Sequence, residues 1–270
     1  MANPFSYEGK QVVVTGAYSG VGAALVELLR ELGAAHITAL DIKEPSGPID
    51  RFVECNMGSP DAVDAAADQL DTPVDVLFNN AGVAATVSPD QVMKINTFGL
   101  MRLTEAVIPK IPQGGAVIIT ASIAGGGWPG HMAEITELLD IDDWDKQVAW
   151  VDDHADLVAD GYFFSKECLQ VLTMRKAKEL MTKGIRIASA CPAPIDTPLL
   201  PDFKSTMSEA VIDWTVNQTI GRYVTPREVA QLLAYLGSDA ATYVSGVNVN
   251  IDAGFNGSMT TGQVDFGDIA

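Results

Sequence analysis

Cations, cysteines and histidines are all scarce in this chain of 270 residues, and each shortage removes a class of protein. Lysine and arginine total 17 against 35 aspartates and glutamates, a formal charge of −18, so the surface repels phosphate backbones and anionic bilayers. Neither a nucleic acid nor a membrane is expected as a partner. Cys55, Cys168 and Cys191 are an odd number without Cys-x-x-Cys spacing, which argues against a disulfide framework and against a metal knuckle. They read as buried free thiols. His36, His131 and His154 are scattered and read as incidental, so no metal is expected. No apolar run reaches the roughly 18 residues of a membrane span, and Met1 to Lys10 lacks the apolar core of a secretory signal. These absences place the chain in the cytoplasm. No Gly/Ser-rich or Pro-rich linker and no repeat of fixed period divides it, so 1–270 reads as one domain.

What is present is a regular alternation. Hydrophobic residues make up 47% of the chain, enough for a sizeable core. Short β-rich runs at 11–15, 36–40, 74–78, 116–122, 185–190 and 247–251 alternate with helical patterns at 23–32, 62–70, 90–111, 165–182 and 226–237. This order predicts an α/β fold, a doubly wound parallel sheet of about seven strands with helices on both faces.

Two local patterns carry chemistry. Tyr162 and Lys166 lie four residues apart, so on a helix they share a face and the ammonium favours ionisation of the phenol. Bringing a phenol from about 10 towards neutrality takes roughly 4 kcal/mol, of which one lysine supplies part. A second positive charge is therefore expected nearby, such as an oxidised nicotinamide. The second pattern is the turn after the first strand, where Gly16, Tyr18, Ser19, Gly20, Val21 and Gly22 open a helix whose backbone N–H groups can receive a pyrophosphate. Asp41 ends the second strand 19 residues after Gly22, and a carboxylate there bonds both ribose hydroxyls while repelling a 2′-phosphate. NAD is thus favoured over NADP. Tyr18 puts no arginine in the turn, although Lys43 is close.

Taken together the residues resemble the short-chain dehydrogenase/reductase family over nearly the whole length, which implies a Rossmann fold. The resemblance rests on Thr15-Gly16-x-x-x-Gly20-x-Gly22, Asn79-Asn80-Ala81-Gly82, Asn96, Ser122, Tyr162 with Lys166, Cys191 to Pro198, and Tyr243-Val-Ser-Gly246 with Ile251 to Gly254. It implies a catalytic set of Asn96, Ser122, Tyr162 and Lys166. Tyr162 would move the hydroxyl proton, Ser122 would donate to the substrate oxygen, and Lys166 would hold Tyr162 ionised and bind the nicotinamide ribose. Asn96 would bend its helix and hold a water linking Lys166 to solvent. The resemblance also implies cofactor contacts at Asn56, Met57, Asn80, Ala81, Gly82, Pro192, Ile195 and Thr197. Asn56 replaces an aspartate and Ala193 a glycine of the family pattern.

Tyr162 follows Ser122 by 40 positions, a longer interval than the family usually has. Met132, Ile135 and Leu138-Leu139 recur at helical spacing, as do Trp144, Val148 and Val151, so a helical insertion is expected over about 124–160. It is acidic, with ten carboxylates against one lysine between His131 and Asp160. Its apolar stripe is expected to cover the domain or a subunit partner, and Trp128 to wall the substrate cleft. A helical lid is expected over about 199–221. A long interval here resembles the bacterial 3α-hydroxysteroid dehydrogenase/carbonyl reductase branch and aryl-alcohol dehydrogenases such as those for coniferyl alcohol. The resemblance implies an NAD-dependent enzyme for a bulky apolar secondary alcohol or ketone, first a 3α-hydroxysteroid, alternatively an aryl or terpenoid alcohol. It also implies a homodimer or homotetramer. A non-catalytic NAD-binding sensor is the reading from another class, and the intact Ser122, Tyr162 and Lys166 argue against it.

Overall fold

In the computed structural model, which describes residues 3–265 and Gly267, seven strands alternate with helices. The strands are β1 (Gln11–Thr15), β2 (His36–Asp41), β3 (Arg51–Glu54), β4 (Val76–Asn79), β5 (Ala116–Thr120), β6 (Arg186–Pro192) and β7 (Val247–Ile251). Between and after them come α1 (Gly20–Glu31), α2 (Pro60–Asp68), α3 (Pro89–Met93), α4 (Gly99–Val107), α5 (Met132–Leu139), α6 (Trp144–Asp153) and α7 (Ala155–Val158). The remaining helices are α8 (Tyr162–Thr182), α9 (Leu200–Met207), α10 (Glu209–Asn217), α11 (Pro226–Gly237) and α12 (Phe255–Thr260). All pairings are parallel, in the order β3-β2-β1-β4-β5-β6-β7.

Side chains alternate across the strands, and each face has its own core. Val12 and Val14 of β1 with Phe78 and Ile118 pack under α1 and α11 through Leu25, Leu29, Val229 and Leu233. Val13, Leu77, Val117 and Ile119 pack on the other face under α4 and α8 through Leu100, Leu103, Leu169 and Leu172. Because both faces are covered, the strands read as continuous apolar runs. The sheet order reverses between β1 and β4, so the loops leaving these strands diverge and open a crevice at the carboxyl ends.

Several details differ from the sequence reading, among them an unexpected helix α12 and a strand β5 that ends at Thr120 instead of Ser122. The strand missed was β3, a four-residue edge element with charged ends and only Val53 fully buried, so it carries little periodic signal. The single helix expected over 90–111 is four pieces, since a π-helical turn, Lys94–Phe98, interrupts it at Asn96 and a 3₁₀ turn, Ile108–Lys110, ends it. Gly99 follows this turn so closely packed that a Cβ would lie 2.0 Å from the Met57 carbonyl oxygen. Finally, α8 begins at Tyr162, not Ser165.

Between Ser122 and Tyr162 a 3₁₀ segment, Ile123–Gly130, leads into α5, α6 and α7. Ile135, Leu138, Trp150, Val151 and Val158 form a third core with Phe164, Cys168 and Val171 of α8 and with Met93 and Phe98. The apolar stripes therefore cover the outer face of α8, and the acidic residues lie on the opposite sides. No helix among the described residues is long and apolar enough to cross a membrane. Leu138 is fully buried, so Leu138→Ala is expected to lower stability by about 2–4 kcal/mol in urea unfolding. Its substrate KM should stay within about twofold; a larger change would place α5 in the substrate wall.

Candidate active site

The site is organised by the first two turns of α8. Gly161 precedes it at φ +84°, and a Cβ there would lie 2.8 Å from the Pro89 carbonyl oxygen, so glycine is required on both counts. The Tyr162 N–H donates to Asp160 Oδ1 at 2.9 Å, which fixes the helix start. One turn later Lys166 Nζ lies 5.6 Å from the Tyr162 ring centre and donates to the Thr120 carbonyl at 3.2 Å. Ser122 follows β5; its Oγ accepts the Ala124 N–H at 3.1 Å, and its hydroxyl is near enough to the Tyr162 phenol to favour the phenolate.

Gln170, not singled out from the sequence, belongs to the same stripe at the same four-residue spacing. Its Nε2 donates to the Ser122 carbonyl at 2.8 Å and so ties the β5 loop to α8. Gly125 lets the two approach, since a Cβ there would lie 2.5 Å from the Lys166 carbonyl oxygen. Asn96 is fully buried in the π-turn. Its Oδ1 accepts the Val83 N–H at 2.8 Å, and its Nδ2 donates to the Val83 carbonyl at 3.0 Å and to Ser165 Oγ at 3.2 Å. It joins the loop after β4 to α8. Gly82 stands between it and Lys166, because a Cβ there would lie 3.2 Å from Asn96 Oδ1 and 3.6 Å from Lys166 Nζ.

Burial dominates the electrostatics of the pair. It pushes the Tyr162 phenol up to about 12, with the Ser122 hydrogen bond opposing and the Asp160 carboxylate adding. It pulls the Lys166 ammonium down to about 8, against a smaller opposing influence of Cys191. Lys166 alone therefore does not ionise Tyr162.

The dinucleotide half of the cleft is assembled from the carboxyl ends of β1, β2, β4 and β6. Gly16 has φ +65°, and a Cβ on it would lie 2.7 Å from Ala81 Cα. Gly22 is packed beneath the turn, where a Cβ would meet the Gly16 carbonyl oxygen at 1.9 Å, so its part is to seat α1 against the turn. Thr15 Oγ1 accepts the N–H groups of Asn80 and Ala81, both at 2.9 Å, and Asn80 Nδ2 donates to the Gly16 carbonyl at 3.2 Å. Asp41 Oδ2 accepts the Tyr18 N–H at 2.9 Å, and its Oδ1 accepts the Ile42 N–H at 2.7 Å. The Lys43 ammonium sits 5.4 Å from the Tyr18 ring centre, on the same rim. Asn56 Oδ1 accepts the Gly58 N–H at 3.0 Å, shaping the turn in which Met57 follows. Ala193 is buried and does not take a left-handed φ, so the methyl in place of glycine strains nothing.

Gly16, Tyr18, Ser19, Gly20, Val21, Asp41, Asn56, Met57, Asn80, Ala81, Gly82, Ser122, Tyr162, Lys166, Pro192, Ile195 and Thr197 all line one cleft of about 930 Å³. That volume lies at the upper end of small-molecule sites, and the glycine-containing turn before α1 fits a pyrophosphate. The residues present fit a nicotinamide dinucleotide with room beyond it. Trp128 does not line the cleft, contrary to expectation: the 3₁₀ segment turns it onto the third core, and Gly126 and Gly127 border the cleft instead. The sequence reading also missed Phe203, Met207, Ile212, Phe255 and Met259, which supply an apolar wall. For Phe255 a signal existed, since Asp252 accepts the N–H groups of Gly254 and Asn256 at 3.0 and 2.9 Å as an aspartate before a helix does.

Burial of Lys166 makes the stability of the fold depend on pH. Its pKa falls on folding from 10.5 to about 8, so the folded chain is penalised as pH drops through that window and carries the full penalty below it. Lys166→Met should therefore be more stable than wild type at pH 7, by about 1–3 kcal/mol after the lost Thr120 bond, with the gap closing by pH 10.5. Equal or lower stability of the variant at pH 7 would contradict the burial argument.

Comparison with known proteins agrees with this geometry. The family described as short chain dehydrogenase matches residues 10–133, and that described as enoyl-(acyl carrier protein) reductase matches residues 156–256. Coniferyl-alcohol dehydrogenase of Pseudomonas sp. (strain HR199) is 31% identical, over 91% of this chain and 96% of its own. The 3-oxoacyl-[acyl-carrier-protein] reductase of Thermotoga maritima is 28% identical, over 92% and 98%. The crystal structure of the 3-alpha-hydroxysteroid dehydrogenase from Pseudomonas sp. B-0831 complexed with NADH superposes with a TM-score of 0.76 at 25% identity, covering 95% of this chain and 100% of its own. With its glycine turn, its seven parallel strands and its buried Tyr162–Lys166 pair, the chain belongs to the short-chain dehydrogenase/reductase family of nicotinamide-dependent oxidoreductases.

Proposed function

We propose that this enzyme interconverts a bulky apolar secondary alcohol and its ketone, with NAD as the hydride carrier. The observation that carries this is the continuous cleft from the Gly16 turn past Ser122 and Tyr162 to the wall of Phe203, Met207, Ile212, Phe255 and Met259. Its reacting end is polar and its far wall apolar, which suits a hydrophobic skeleton bearing a carbinol. A nicotinamide dinucleotide would be held by the Gly16 turn, Asp41 and Lys166 and would supply the hydride acceptor for oxidation and the hydride donor for reduction. Tyr162 accepts the hydroxyl proton in oxidation and gives it back in reduction. Ser122 donates a hydrogen bond to the substrate oxygen, where negative charge builds. Lys166 lowers the cost of the phenolate, and Asn96 and Gln170 are positioning residues that hold the β4 and β5 loops against α8.

Asp41 supports NAD. Its carboxylate is fixed by backbone N–H groups on the cleft wall, where it meets ribose hydroxyls and repels a 2′-phosphate. A 3α-hydroxysteroid is the first substrate class, favoured by the similarity to the steroid enzyme. An aryl alcohol is the second, favoured by the coniferyl-alcohol relative. Residues 134–155 fall between the two matched stretches and include most of α5 and α6, which supports their reading as an insertion. We read α9 and α10 as the lid: they meet at Ser208, which has φ +80°, and Phe203, Met207 and Ile212 face the cleft from them.

Tyr162→Phe is expected to cut kcat by about 100-fold or more while leaving the NAD dissociation constant within about threefold. Retained turnover would remove Tyr162 from this role. A panel of steroids, aryl alcohols and terpenols followed by NADH formation should give turnover with NAD at least about tenfold above that with NADP. Activity with NADP alone would overturn the reading of Asp41.

A further inference from the structure

Glu167 has no part in the proton transfer above, yet it borders the same cleft and is only 5% exposed. Phe163, one helical turn earlier, borders the cleft too, so both project from one face of α8 beside Tyr162. One carboxyl oxygen of Glu167 is engaged: Oε2 lies 2.6 Å from His131 Nδ1. The other has no hydrogen-bond donor among the described residues. Gly127 is packed against it, and a Cβ there would lie 2.4 Å from Oε1. Asn256, whose Oδ1 lies near Gly126, adds a second polar group on this side of a mostly apolar wall.

A carboxylate offers about four acceptor positions, and burying one with a single partner is costly. Burial accordingly raises the Glu167 pKa, with the His131 bond opposing. A helix that only needed to pack would be better served by an apolar residue here. Gly127 leaves Oε1 uncovered where any side chain would cover it. A neutral donor suits this oxygen, since His131 Nδ1 already engages Oε2 from the other side.

We propose that Glu167 is a specificity-determining residue whose Oε1 accepts a hydrogen bond from a second hydroxyl of the substrate, remote from the carbinol that meets Tyr162. His131 is the positioning residue that holds the carboxyl in register. The proposal rests on the alcohol–ketone reading and narrows its substrate class to skeletons with a further hydroxyl or phenol.

The test compares secondary alcohols matched except for that group: cyclohexane-1,4-diol with cyclohexanol, 1-(4-hydroxyphenyl)ethanol with 1-phenylethanol, and a dihydroxysteroid with the monohydroxysteroid. On the accepted skeleton, wild type should favour the hydroxylated member by about 10- to 100-fold in kcat/KM, mainly through KM. In Glu167→Met the ratio should fall towards one, and Glu167→Gln, which keeps an acceptor oxygen, should retain part of it. Gly127→Ala reads the same ratio with Glu167 itself unchanged: its methyl, 2.4 Å from the present position of Oε1, covers or displaces that oxygen and should lower the preference. A ratio near one in wild type, or a ratio that survives in Glu167→Met or Gly127→Ala, overturns the role of Glu167 alone. Absence of turnover on every skeleton with either nucleotide overturns the alcohol–ketone reading, and this proposal with it.

Discussion

An ammonium and a phenol are buried side by side at the start of one helix, and much of the structure exists to permit it. Each group alone is pushed towards its neutral form, Tyr162 up to about 12 and Lys166 down to about 8. The surrounding elements fix the pair's position at the expense of its ionisation. Gly161 starts α8 at Tyr162, Gly125 brings the β5 loop against Lys166, and the π-turn aims Asn96 at the loop after β4. A positive charge outside the chain would supply the missing stabilisation, and the cleft that passes Lys166 and the Gly16 turn is where a nicotinamide dinucleotide fits.

The cleft changes character along its length. Around Gly16, Asp41 and Asn80 it is built from turns, with backbone groups and short polar side chains locked by hydrogen bonds such as those to Thr15. Past Tyr162 the walls are helices, and apolar side chains from α9, α10 and α12 take over. Glu167 and Asn256 are polar exceptions in that second half. The formal charge of −18 lies elsewhere, in part on α5, α6 and α7, whose apolar sides pack on α8.

Much of this was legible from the residues. The glycine turn, Asp41 and the Tyr162–Lys166 spacing carry their geometry within a few positions, and the strands are buried on both faces and so read as unbroken apolar runs. Long-range placement was not legible. Trp128 lies six positions after Ser122, but a run of 3₁₀ turns rotates it onto the third core and leaves Gly126 and Gly127 at the cleft. His131 and Glu167 are 36 residues apart and meet only because α5 is laid along α8. Edge strand β3 and helix α12 are too short to produce a period. Phe203, Phe255 and Met259 converge from separate segments, which a single sequence does not reveal.

The central claim is that burial keeps Tyr162 protonated until the cofactor's charge arrives. Ultraviolet difference titration of phenolate, with the Tyr162→Phe protein subtracted, measures this directly with and without oxidised nicotinamide dinucleotide. The account predicts no Tyr162 phenolate below about pH 11 in the free protein, and its appearance at least about two pH units lower in the complex, with release of a proton on binding. The same titration point in both states would contradict it.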